Sequence, residues 1–265
     1  MQDERREEPL RRSEYRLLGG VHPAVLAAWA ALIATVHLFP AIPIIGTGST
    51  FSVSVALIPL AGVFFGPIGG GICAAVGNFI GQIIAPHIAW LGIGTFLVGT
   101  VNAVVAGLVS RRKWHIATGV IITGYILWFL TPTGRQAAIF PLIFYTLGLV
   151  SVAAGTIIWS RKHLLKDKPV LGGFGIFLSS YAGFVSAAGL ANFFGILLYN
   201  WPPAMWKGLA FVSPWERAIF SLGASVIGMP LLIALPRIGV YLGADLEPED
   251  EEEGIGDKQQ KEEDT

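Results

Sequence analysis

Leu57–Gln82 reads LIPLAGVFFGPIGGGICAAVGNFIGQ, twenty-six residues without an Asp, Glu, Lys or Arg. The block extends both ways: no charged side chain occurs from Leu17 to Ser110, and no acidic one between Glu14 and Asp167. Over all 265 residues, 53% are hydrophobic and 14% charged, with a mean hydropathy of +0.63. Soluble domains carry about a quarter charged residues, spread over their surface. The pattern therefore predicts an all-α, polytopic membrane protein.

The same scarcity removes several chemistries. Proton antiport and intramembrane aspartyl proteolysis need carboxylates at membrane depth, and the spans offer none apart from Glu216 at the edge of one. The five histidines are scattered, HExxH is absent, and Cys73 stands alone, so neither a metal site nor a disulfide framework is expected. Ser151, Ser186 and Ser225 lack an evident histidine partner. No Walker motif GxxxxGK[ST] occurs, so any ATP hydrolysis would belong to partners. No catalytic residue, no cofactor and no nucleic-acid partner is expected; the chain reads as a non-enzyme.

Residues 1–20 form a charged N-terminal segment, residues 21–243 a single transmembrane domain, and residues 244–265 an acidic tail of disordered composition. Spanning a ~30 Å hydrocarbon core takes about 20 helical residues. Eight apolar segments are expected at 23–40, 51–66, 67–85, 88–110, 116–132, 137–159, 170–199 and 216–236. The second and third are short and meet at Gly66-Pro67, which predicts a tight hairpin. The seventh is long enough to require tilt, projection from the bilayer or a break. With eight spans, thirteen Lys and Arg outside the acidic tail gather on the side of both termini, including Arg111, Arg112, Lys113 and Arg161. The opposite side holds Arg135, Lys207 and Arg217. The positive-inside rule then places both termini in the cytoplasm of a plasma-membrane protein surrounded by lipid.

Small residues recur at helical spacing. Ala24/Ala28, Ala27/Ala31 and Ala30/Ala34 form a ladder on the first span. Gly66, Gly70, Cys73, Gly77 and Gly81 form a ridge on the third, with similar ridges on the fourth and seventh. Such ridges let helix backbones approach closely. The ladder reads either as packing within the chain, the commoner case, or as a docking face for another membrane subunit.

Phe65, Gly66, Pro67 and Gly70, continuing into Gly77-Asn78 and a second hairpin helix, resemble the S component of energy-coupling factor (ECF) transporters. These small membrane subunits bind vitamins and related micronutrients for ATP-driven uptake. The alanine ladder is similar to the Ala-x-x-x-Ala surface through which S components dock onto the transmembrane T component. The resemblance thus gives Ala24, Ala27, Ala28, Ala31 and Ala34 a partner-docking role. Trp215-Glu-Arg-Ala-Ile-Phe and Ile227-Gly-Met-Pro-Leu-Leu are similar to the family's last helix. S components usually have six spans, so the fifth and sixth segments here read as an extra helical hairpin. The cobalt/nickel branch is disfavoured, because its resemblance depends on a Met-His start and this chain begins Met1-Gln2.

Under this topology Asn78, Gln82, Trp90, Tyr181, Asn192, Asn200 and Arg217 fall in the middle or outer half of the spans and are the candidate substrate-binding residues. Tyr199, Trp201 and Ser221 lie there too, whereas Asn102 falls in the inner half. Each alone reads more readily as a helix–helix hydrogen bond or an interfacial aromatic anchor; together they suit an outward-opening pocket. Arg217 beside Glu216 reads first as a snorkelling pair at a span's end. Residues 41–50, with Gly46 and Gly48, suit a covering loop. The expected function is a membrane-embedded subunit capturing a vitamin-like micronutrient for an ECF T component and two cytoplasmic ATPases. A stand-alone secondary carrier or facilitator without carboxylate-based proton coupling is the alternative.

Overall fold

The computed structural model describes residues 22–43, 50–161 and 168–235. The charged segment 1–20, loop residues 44–49, Lys162, Lys166, Arg237 and the acidic tail lie outside the described residues. The helices are α1 (Pro23–Val36), α2 (Ile58–Ile84), α3 (Thr95–Ser110), α4 (Trp114–Leu130), α5 (Pro132–Gln136), α6 (Ile139–Trp159), α7 (Pro169–Tyr199) and α8 (Pro203–Ala234). A short antiparallel pair, β1 (Pro40–Pro43) and β2 (Thr50–Ser52), joins α1 to α2. Five helical stretches are long and apolar enough to cross a membrane, and α1 and α4 are shorter apolar helices. This is an all-α polytopic membrane protein.

The hairpin expected at Gly66-Pro67 forms. Gly66 adopts φ 77° and ψ 178°, a left-handed setting that only glycine takes without strain. Pro67 then starts the second limb, where its missing N–H costs nothing. The chain folds back so sharply that a Cβ on Gly70 would lie 2.5 Å from the Cα of Gly62. In a continuous helix those residues would be about 12 Å apart. Counted as two limbs, α2 brings the apolar helical segments among the described residues to eight. The first limb is shorter than expected: helix begins at Ile58, and Val53–Ala56 is a 3-10 turn.

α3 closes against this hairpin through backbone. A Cβ on Gly62 would overlap the carbonyl oxygen of Ala103, and one on Gly107 would come within 2.6 Å of Pro67 N. Lipid tails are as apolar as leucine, so no hydrophobic force drives these helices together, and close van der Waals contact must. α1 packs on the second limb, where Ile33 is fully buried and Cys73 Sγ donates to the Leu26 carbonyl at 3.3 Å. The outward face of that limb carries Ile68, Ile72, Val76, Ile80 and Ile83, all exposed. α8 shows a similar stripe of Phe211, Trp215, Ile219, Leu222 and Val226. These stripes suit hydrocarbon.

α4 and α6 form a second core with α3, α7 and α8, built on Trp128, Phe140, Phe144, Tyr145 and Trp206. Thr131 caps α5 by accepting the Gly134 N–H at 2.9 Å, and the Trp128 indole N–H donates to the Gly134 carbonyl at 2.8 Å. α4 meets α7 glycine to glycine: a Cβ on Gly124 would stand 2.8 Å from the Cα of Gly189.

The break, one of three outcomes open for the seventh segment, does not occur, and two expected boundaries need correction. α7 is one unbroken 31-residue helix, ended by Asn200 in the left-handed conformation rather than interrupted at its glycines. The last helix begins at Pro203, thirteen residues before the expected 216. Pro203 opens the helix without cost, and Pro214 forfeits one hydrogen bond while Trp206, Ala210 and Ser213 are buried around it. The fourth segment becomes helical only at Thr95, after 3-10 turns at Pro86–Ile88 and Gly92–Gly94.

Gly62→Ala forces its methyl onto backbone that cannot move aside, and should destabilise by about 1–3 kcal/mol. Gly208→Ala, on α8 with nothing within 4 Å of its would-be Cβ, should be neutral or stabilise by up to about 1 kcal/mol. Thermal unfolding in detergent checks the pair.

Candidate functional site

α1, the second limb of α2, and α7 finish at one end of the bundle, where α3 and α8 begin. Between these ends lies a cavity of about 160 Å³. Its walls come from the 50–58 connection, the end of α2, the 85–94 turns, the first half of α3, the second half of α7, and the first half of α8. None of its lining residues comes from α4, α5 or α6.

His37, following α1, supplies one corner. Its Nδ1–H donates to the Ile33 carbonyl at 2.5 Å, and its Nε2 accepts from the Ser54 hydroxyl at 3.3 Å. Ser52 donates to the Val36 carbonyl at 2.9 Å and accepts the Ser54 N–H at 3.1 Å, pinning the connection to α1. Phe51 is thereby held over the cavity.

Four of the seven candidate residues line it: Asn78, Trp90, Asn192 and Arg217. Asn78 donates to the Ala74 carbonyl one turn back, at 2.6 Å. Trp90 stacks on Tyr199, whose hydroxyl donates to the Trp90 carbonyl, and Tyr199 stacks in turn on Trp201 with centroids 5.2 Å apart. Asn192 points its amide N–H at the Tyr145 hydroxyl on α6, 3.5 Å away.

The other three do not line the cavity, for separate reasons. Gln82 spends both ends of its amide on a joint, donating to the Ile93 carbonyl at 2.9 Å and accepting the Phe96 N–H at 3.1 Å. Tyr181 is packed inside the bundle, stacked on Phe177. Asn200 terminates α7 at φ 47°, its N–H donating to the Ile196 carbonyl.

Arg217 does not stand at the end of a helix. It sits fourteen residues into α8, 15% exposed, with Glu216 at 22% and 3.4 Å away. Its guanidinium lies 4.9 Å from the centre of the Phe51 ring and 5.8 Å from that of Phe220. Asn102 also lines the cavity rather than falling in the opposite half, because α3 starts at Thr95 and leaves residue 102 near mid-helix.

Sequence reasoning missed His37, Phe51, Trp206 and Glu216 as lining residues. Trp206, Leu209, Ser213 and Arg217 recur every three or four residues, a stripe hidden only by the misplaced start of α8. Four lining residues keep polar atoms with no hydrogen-bond partner among the described residues: Thr50 Oγ1, Asn102 Oδ1, Trp206 Nε1 and Arg217 Nε.

α4–α6 stand behind this wall. Trp128 meets Trp206 edge to face at 4.9 Å, and Phe140 does so at 5.3 Å. On α1, Ala24, Ala27, Ala28 and Ala31 are exposed along one side, as the docking ladder requires of its surface. Ala34 is corrected: with Ala30 it is buried, at 5% exposure each.

Gln82→Leu should lower the melting temperature, costing about 1–3 kcal/mol for the two stranded backbone groups. Asn200→Gly should leave it unchanged or raise it slightly, since glycine takes the left-handed cap without strain. Thermal unfolding of the ligand-free protein reads both.

The family model for the ECF-type riboflavin transporter, S component, matches residues 22–162, just over half of the chain. The match runs through α4–α6, the pair set apart from the sequence as an extra hairpin, and ends before α7 and α8. An uncharacterized protein of Methanocaldococcus jannaschii is 27% identical over 99 residues, covering 37% of this chain and 33% of that relative. No solved structure matches. The glycine-turned hairpin, the exposed alanines of α1 and this match agree: the chain belongs to the family of ECF-type riboflavin transporter S components.

Proposed function

We propose that the chain is the substrate-binding subunit of an ECF transporter and captures riboflavin or a closely similar flavin in the cavity at the His37 end. Belonging to this family supports a non-catalytic, substrate-binding transporter subunit; the cavity is what supports the choice of solute. Trp90, Trp201, Trp206 and Phe51 offer ring faces, and Asn78, Asn102 and Asn192 offer amides. The unpaired atoms of Thr50, Asn102, Trp206 and Arg217 carry the reading: each costs about 1–3 kcal/mol when buried without a partner. A ligand with heteroatoms along a flat ring satisfies them.

In this reading the His37 end faces outward and both termini face the cytoplasm, in keeping with the basic clusters at Arg111–Lys113 and Arg161. Ala24, Ala27, Ala28 and Ala31 meet a T component, and two cytoplasmic ATPases supply the energy. α1 offers those four methyls with no bulkier side chain between them on that strip.

Riboflavin fluorescence tests the binding step, because stacking on an indole quenches the flavin. Titrating the purified protein should quench emission, with Kd below about 1 μM. The absence of saturable quenching overturns the assignment. Ala27→Leu with Ala31→Leu should abolish cellular uptake while leaving the purified subunit's affinity unchanged. Uptake that persists in cells lacking every ECF ATPase would replace this reading with a stand-alone carrier.

A further inference from the structure

Along α8, Trp206 and Arg217 both line the cavity, eleven residues apart and so about 16 Å along the helix axis. The cavity therefore has two chemically different regions. One is aromatic, around Trp206, Trp201 and Trp90. The other is ionic, where Glu216 and Arg217 lie 3.4 Å apart, and they are the only Asp, Glu, Lys or Arg among its lining residues.

A partly buried charge pair costs desolvation, which a task in binding offsets. The packing here restricts what that task is. The guanidinium carbon of Arg217 lies over the Phe51 ring, 4.9 Å from its centre, and Nε has no partner among the described residues. The Glu216 carboxylate beside the guanidinium makes the pair nearly neutral overall. An anionic group arriving at Arg217 meets the repulsion of Glu216, and a cation meets the reverse. A hydroxyl meets neither, because it accepts from the guanidinium and donates to the carboxylate at once.

The geometry points to Glu216 and Arg217 as the specificity-determining pair that reads the polyhydroxyl chain of a ring-plus-chain ligand and rejects its phosphorylated form. This rests on the flavin reading above and assigns the part of the ligand which that reading left open. The ring lies among the indoles and the chain runs toward the pair.

Three probes separate the parts: riboflavin, lumiflavin (the same ring with a methyl in place of the hydroxyl chain) and riboflavin 5′-phosphate. Each is titrated against the unmodified protein, Glu216→Gln and Arg217→Gln, with melting temperatures recorded to identify any variant that fails to fold. Bonds to charged groups are worth about 10- to 100-fold in affinity. The unmodified protein should therefore prefer riboflavin to lumiflavin, and riboflavin to its phosphate, by about ten-fold or more. Arg217→Gln should erase the preference over lumiflavin. Glu216→Gln removes the repelling carboxylate, and should shift the riboflavin-to-phosphate ratio toward the phosphate by about ten-fold or more. That shift is a change in selectivity, which general loosening of the fold does not produce. Equal binding of riboflavin and lumiflavin, or selectivity ratios unchanged in both folded variants, overturns the pair's role while leaving flavin binding in place. Failure of the unmodified protein to bind any of the three overturns the flavin reading itself, and the pair's role with it.

Discussion

The fold depends on backbone meeting backbone at the α2 hairpin. In water, large side chains hold helices together by leaving solvent; in lipid that driving force is missing, and dispersion at short range takes its place. Gly66 turns the chain, and Gly62 and Gly107 let α3 lie against the turn with nothing between the main chains. Everything that forms the cavity from this side follows from that contact. It sets where α3 runs, and so the depth of Asn102. It also sets where the second limb ends, and with it the Gln82 joint that holds the start of α3.

The opposite wall obeys the same constraint through a different pair of glycines. Gly124 and Gly189 bring α4 against α7, beside the stretch from Phe184 to Asn192 that faces the cavity. α4–α6 thus support the cavity without entering it, through Trp128 and Phe140 behind Trp206 and Tyr145 behind Asn192. This separates two demands on one bundle. Lining residues meet the solute, while a backing layer of interlocked aromatic rings fixes where those residues stand. Such rings bury much area with few rotatable bonds, so they hold position at small entropic cost.

Much of the architecture was legible along the chain, because membrane spans are written in long uncharged runs and glycine announces its turns. The hairpin at Gly66-Pro67 and the outward alanines of α1 are local features. The errors cluster where proline and polarity suggested a break. Residues 200–215, which hold Pro202, Pro203, Lys207 and Pro214, fell between the seventh and eighth expected segments. In the folded protein Pro203 opens a helix and Pro214 lies within one, while Ser213 and Glu216 line a cavity. A polar residue in a span is equally consistent with lining a pocket, bonding a neighbouring helix or ending a helix. Asn192, Gln82 and Asn200 each do a different one of these.

By itself, then, the amino-acid sequence determined the solvent, the helical class, the fold-back and the small-residue surfaces, all of which rest on composition and short-range spacing. Tertiary structure alone decided which side chains share a cavity. Phe51, Asn102, Trp206 and Arg217 are scattered over more than 160 positions of the chain. Only the approach of α3, α7 and α8 at one end of the bundle brings them together. The same packing moved Arg217 from an apparent helix end, where water would screen it, to a partly buried place beside Glu216 and under Phe51. Depth and neighbours, which no spacing rule records, determine whether a charge is a surface anchor or part of a binding site.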